Sequence, residues 1–182
     1  MVSYGNLSNM HLIQKYGFTL EDNQYTSVPF YPNWGIEKGI LQEEMDLKIK
    51  LYQKTKIKSH NITWQFYENK LDSMLLPSLR IAFLNSDLVT KIGLEHLWEK
   101  ETFQKPIDAG QESLIYDWLL RNLRTAYKLV KDKNYKELRD NIGQIDSINK
   151  LHMYNIFNIQ NDEQRILDKN IKYIEKVSRE LS

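Results

Sequence analysis

The sequence predicts a mainly α protein: a helical domain over residues 36–182, preceded by a strand-and-loop segment over residues 1–35. Three observations lead there. Up to Gly35, short apolar runs are broken by Gly5, Gly17, Pro29, Pro32 and Gly35 and are rich in aromatic residues, the composition of strands, turns and loops. From Ile36 onward the apolar residues recur mostly at three and four with Glu and Lys between them, the period of amphipathic helices. A length of 182 residues with 41% hydrophobic content is enough to fill a core.

Within the front segment only Ser8 to Lys15 carries a helical signal. Ser8 or Asn9 can cap the free N–H groups of a two-turn helix, and Gly17 can end it. A helix this short is marginal alone, so Leu12 and Ile13 are expected to pack against parts of a domain outside this chain. For the same reason residues 1–35 are expected to be loosely held or to borrow a partner.

The first long helix is read from Ile40, Leu41, Met45, Leu47, Ile49, Leu51 and Tyr52. Ile62, Trp64 and Phe66 then alternate at a spacing of two, which predicts an extended segment between Ser59 and Leu71. Asp72 opens a helix through Met74, Leu75, Leu79, Ile81, Ala82 and Phe83, with Pro77 early enough to be tolerated. Ser86 is expected to cap the next helix, which carries Leu88, Val89, Ile92, Leu94, Leu97 and Trp98. After a loop with Pro106 and Gly110, the clearest helix starts near Gln111 and buries Ile115, Leu119, Leu123, Ala126, Tyr127 and Val130. Asn134 to Ile142 reads as a short helix. One further helix starts at Asp146 or Ser147, and Asp162 is expected to cap a last one carrying Leu167, Ile171, Ile174, Val177 and Leu181.

Charge and composition narrow the function classes. Lys and Arg number 25 against 24 Asp and Glu, a formal charge of +1, so no global attraction to nucleic acid or to a membrane surface is expected. With no Cys there is no disulfide and no thiolate metal site, and an intracellular setting, cytoplasmic or nuclear, is the default expectation. The start of the chain has no signal-peptide pattern, and no run approaches the roughly 20 apolar residues of a membrane span.

Side-chain constellations narrow them further. His11, His60, His96 and His152 form no pair at helical ligand spacing, so no metal is expected. Glu43, Glu44 and Asp72 have no evident acid or base partner. Trp64, Trp98 and Trp118 read as core, and the basic run Arg121, Arg124, Lys128, Lys131 and Lys133 as a solvated helix face.

One ordered set of residues is more specific. Tyr4-Gly5, Ser8-Asn9, Leu12-Ile13 and Tyr16-Gly17-Phe18 follow one another, leading to a loop with Asn23. Neither the Tyr-Gly pair nor the Tyr-Gly-Phe triplet is specific alone. In this order and spacing they resemble the end of a SET domain of the Rubisco large-subunit lysine methyltransferase type. The resemblance continues through Leu75-Leu76-Pro77-Ser78-Leu79-Arg80, similar to the family's Leu-Leu-x-x-Leu-Arg helix. Gln111-Glu112 then matches the start of the long central helix, and Met153 to Leu167 the paired final helices.

Several expectations follow from that resemblance. Residues 1–35 correspond to the C-terminal segment of the SET domain and 36–182 to the helical substrate-binding domain. The Gly-rich strand and Asn-His segment of such a domain are absent from these residues, so the chain is expected to be the C-terminal part of an S-adenosyl-L-methionine-dependent protein-lysine methyltransferase, inactive alone. Tyr4 matches the catalytic tyrosine that faces the target nitrogen. Tyr16, Gly17 and Phe18 match the cofactor-contacting triplet, with Phe18 against the adenine, Gly17 allowing close backbone approach and Tyr16 lining the pocket. Asn9 matches a structural position. Tyr16 stands where the actin-histidine branch has a smaller residue, which favours lysine as target. The implied partner is a protein presenting a lysine. The alternative is a stand-alone helical interaction module without enzymatic activity.

Overall fold

The computed structural model describes residues 6–21, 23–30, 42–58, 63–68, 70–131 and 147–181. Among these the chain is mainly α, with α1 (Asn9–Tyr16), α2 (Gln42–Thr55), α3 (Leu75–Ala82), α4 (Ser86–Ile92), α5 (Ala109–Lys131) and α6 (Ser147–Leu181). A 3-10 turn (Lys100–Phe103) precedes α5, and β1 (Ser27–Phe30) pairs with β2 (Trp64–Tyr67). The expected helix at Asn134–Ile142, the boundary at residue 35, and Ile40, Leu41, Ile62 and Trp34 lie outside the described residues.

Contacts divide the chain into two units. One gathers the described residues within Met1–Val28, Gln65–Lys70 and Leu123–Lys172; the other those within Pro29–Trp64, Leu71–Asn122 and Tyr173–Ser182.

In the second unit, α2 packs on α3 and α3 on the 3-10 turn. Their apolar stripes close a core of Leu51, Tyr52, Ile57, Ile81, Leu84, Leu88, Leu97 and Phe103. Each such side chain contributes about 1.5–3 kcal/mol when taken out of water. Pro77 is the third residue of α3, where its missing N–H costs nothing. The helix is entered through Asp72, whose carboxylate accepts the Met74 N–H at 2.9 Å. Trp118 of α5 takes two edge-on aromatic contacts, Phe30 at 80° and Phe83 at 71°, each with centroids 6.1 Å apart.

A buried ion pair ties α3 to α5. The guanidinium of Arg80 donates through Nε to Glu112 Oε1 and through Nη2 to Oε2 at 3.0 Å, and Nη1 reaches the Phe103 carbonyl at 2.9 Å. Gln111 Nε2 donates to the Arg80 carbonyl at 2.9 Å. The Leu-Leu-x-x-Leu-Arg stretch and the Gln111-Glu112 pair, far apart in sequence, are thus direct partners.

Several boundaries differ from those read in the sequence. Asn85, not Ser86, caps α4, its side chain accepting the Leu88 N–H at 2.9 Å. This helix stops at Ile92 because Gly93 turns to φ +83°, so Leu94 and Trp98 leave the expected stripe and are exposed, while Leu97 folds back into the core. α5 begins two residues before Gln111, since Asp108 Oδ1 takes up the N–H groups of Gly110 (2.8 Å) and Gln111 (3.3 Å). The two final helices are one, 35 residues long, and Asp162 lies inside it and caps nothing. No described helix is long and apolar enough to cross a membrane.

Candidate functional site

The Tyr16-Gly17-Phe18 triplet sits at the end of α1. Ser8 caps that helix, its Oγ accepting the His11 N–H at 3.4 Å and lying 2.7 Å from His11 Nδ1. Gly17 ends it in the left-handed region at φ +77°, with its N–H on the Ile13 carbonyl at 3.0 Å. A methyl group built on Gly17 would meet nothing within 4 Å, so the glycine is needed for its backbone conformation and its surroundings are open. The rings of Tyr16 and Phe18 lie 6.2 Å apart at 33°, Tyr16 exposed and Phe18 half-buried. Tyr4, the expected catalytic residue, lies outside the described residues.

Asn9 is the hub beneath the triplet. It is fully buried, and its amide is saturated: Nδ2 donates to the Leu20 carbonyl (2.8 Å) and to Asp162 Oδ2 (2.6 Å), while Oδ1 accepts from the Leu20 N–H (3.0 Å) and Asn23 Nδ2 (3.1 Å). Asn23 also donates to the Leu7 carbonyl at 2.9 Å. Two asparagines of the sequence motif, Asn9 and Asn23, therefore meet in space.

The first half of α6 holds this segment with polar side chains. Asn155 Nδ2 donates to the Gly17 carbonyl at 2.9 Å and its Oδ1 accepts from Thr19 Oγ1 at 2.9 Å; Asn158 Nδ2 donates to the same hydroxyl at 3.0 Å. Tyr154 donates to Glu21 at 2.5 Å. Leu12 is buried within the chain, so α1 does not wait for an outside domain to cover it, and the described part of the front segment is anchored by these bonds.

Electrostatics at the anchor are mixed. Burial holds the Asp162 carboxyl above its ordinary value, opposed by the hydrogen bonds from Asn9, Arg165 and Thr26. Arg165 joins Asp162 Oδ1 (2.7 Å) to Glu68 Oε2 (2.9 Å), and Lys169 also donates to Glu68. The Lys169 hydrogen bond, with Arg165 nearby, holds Glu68 below the usual carboxylate range.

The sequence reading missed Asn155 and Asn158 and gave Asp162 only a capping role; the more hydrophobic positions nearby are Leu151, Tyr154 and Ile156. Those three are exposed, whereas the polar three are buried. Their spacing of three and four was the available signal: it puts two amides and a carboxylate on one helix face. Among the described residues no group of three His, Asp or Glu could hold a metal ion.

The residues present fit S-adenosylmethionine only in part. Tyr16 and Phe18 bring two aromatic rings together, with Tyr16 exposed and Phe18 half-buried. Among the described residues the neighbouring polar groups are committed to the fold, the Gly17 carbonyl to Asn155 and the Thr19 hydroxyl to Asn155 and Asn158.

No protein-family model and no curated protein matches the chain. Solved structures do. The chain is similar over 98% of its length to Rubisco LSMT bound to sinefungin and monomethyllysine, with TM-score 0.72 and 18% identity. It is similar over 100% of its length to the SET domain of LSMT bound to MeLysine and AdoHcy, with TM-score 0.73 and 18% identity. Rubisco LSMT bound to AdoMet gives TM-score 0.71 at 17% identity over 98% of the chain. The chain spans 40% to 41% of the length of those structures. It shares the fold of that portion of Rubisco LSMT.

Proposed function

We propose that this chain is the C-terminal part of an S-adenosylmethionine-dependent protein-lysine N-methyltransferase, with the helices from residue 36 onward docking the protein substrate. The observation that carries the reading is the coincidence of two independent likenesses. The fold matches LSMT across the chain, and the Tyr16-Gly17-Phe18 triplet, which resembles the family's cofactor-contacting motif, ends a capped helix.

In this reading Phe18 lays its ring on the adenine and Tyr16 lines the passage to the lysine. Bound S-adenosylmethionine supplies an electrophilic sulfonium methyl. A lysine amine has an ordinary pKa of about 10.4, and only its neutral form carries a free lone pair. Enclosure by aromatic side chains favours that neutral form, and the Tyr4 phenol oxygen, accepting an amine N–H, orients the lone pair.

The test is methyl transfer to lysine by the protein as the gene encodes it, including any sequence upstream of Met1. An upstream Gly-rich strand and Asn-His segment, with labelled methyl appearing on lysine, is the expected result. If neither segment is encoded and no transfer occurs, the chain is an interaction module.

A further inference from the structure

We propose that Asn155 of α6 is a positioning residue for the Tyr16-Gly17-Phe18 triplet, holding the backbone that carries the Phe18 ring; this rests on the reading of the triplet as cofactor-contacting. Residues 18 to 20 belong to no helix or strand, so no regular backbone ladder sets their course. Asn155 supplies what the ladder would. Its amide bonds to the Gly17 carbonyl on one side of Phe18 and to the Thr19 hydroxyl on the other, both at 2.9 Å.

Turning the Phe18 backbone must break at least one of these bonds. Asn155 is 1% exposed, so water cannot replace the lost partner and the displaced conformer carries an unpaired polar group. Asn158 donates to the same Thr19 hydroxyl at 3.0 Å and so holds the second contact in place. The amide adds orientation, because its donor and its acceptor are used on opposite sides of one aromatic residue.

The test compares Asn155→Leu and Thr19→Val with Gln160→Met. Gln160 lies on the same helix and donates to the Val130 carbonyl of α5 at 2.9 Å, so its loss weakens the packing of α6 on α5 and removes none of the bonds from Asn155 and Asn158 to Gly17 and Thr19. In the full gene product, both triplet-facing variants are expected to bind S-adenosylmethionine about tenfold more weakly, with kcat at saturating cofactor within about twofold of wild type. Gln160→Met should lower Tm comparably and leave affinity unchanged. In the 182-residue chain, amide exchange at Gly17 and Leu20 should quicken in Asn155→Leu and Thr19→Val but not in Gln160→Met. Thr19→Val carries the test if Asn155→Leu fails to fold.

Wild-type affinity in both triplet-facing variants overturns the positioning role alone, provided that Phe18→Ala still loses cofactor. Equal weakening by Gln160→Met also overturns it, since the effect would then be general loosening. A wild-type protein that binds no cofactor overturns the reading of the triplet, and the inference falls with it.

Discussion

Removing one partner of the Arg80–Glu112 pair should be the most damaging single change in its unit. Both side chains are nearly inaccessible, at 4% and 1% exposure, and Glu112 supplies two of the three acceptors of the guanidinium. Glu112→Leu leaves a buried positive charge with only the Phe103 carbonyl. Stranding one member of a buried pair costs about 3–5 kcal/mol. At about 2–4 °C per kcal/mol for a chain of this size, Tm should fall by roughly 6–20 °C. Arg80→Met strands the carboxylate and should cost about as much.

The double variant Arg80→Met/Glu112→Leu removes both charges and leaves the Phe103 carbonyl without its donor, a loss of about 1–3 kcal/mol. It should therefore be more stable than either single variant. Thermal and urea unfolding followed by tryptophan fluorescence closes the cycle, because Trp64 and Trp118 belong to the same unit as the pair. A Glu112→Leu cost below about 1 kcal/mol, or a double variant as unstable as the sum of the singles, would refute the reasoning.

Gly17→Ala should destabilise the chain by about 1–2 kcal/mol through the left-handed conformation alone, since the added methyl meets nothing; an unchanged Tm would contradict the cap. Asp162 should give stability a pH dependence of definite sign. Its folded pKa is raised, so its contribution is fully present below the unfolded carboxyl value of about 3.9 and is lost as pH rises through the folded value. The stability of wild type relative to Asp162→Asn should accordingly fall as pH rises from about 4, and a difference that stays flat with pH would count against it. In the full gene product, Tyr4→Phe should slow turnover with little effect on cofactor affinity, and Phe18→Ala should weaken affinity first; steady-state kinetics with both variants separates the roles. Isothermal titration of S-adenosylmethionine into the 182-residue chain should show no binding at micromolar concentration, because among the described residues the Gly17 carbonyl and the Thr19 hydroxyl beside the triplet are already bonded to Asn155.

Local signals were legible because they act over a few residues. The sequence alone narrowed the cap to Ser8 or Asn9 and placed the stop at Gly17, the strand alternation of Trp64 and Phe66, the entry at Asp72 and the Ile115–Leu119–Leu123 stripe, and each follows from backbone geometry and the helix or strand period. Where a local signal was present but outranked, the boundary moved. Gly93 stopped α4 although apolar residues continue past it, since a positive φ cannot extend the helix.

What only the tertiary structure decided is which polar residues go inside. Asp162 has the sequence profile of a helix cap, and Asn155 and Asn158 that of a solvated surface. Burial of all three depends on Asn9, Gly17 and Thr19, more than a hundred residues away, presenting matching donors and acceptors. Arg80 and Glu112 likewise can be buried only because each brings the other its charge. Apolar burial needs no specific partner, although Leu94, Trp98, Leu151 and Ile156 show that apolar chemistry alone does not place a residue inside. Polar burial is favourable only in pairs, and the partner is known only once the chain has folded.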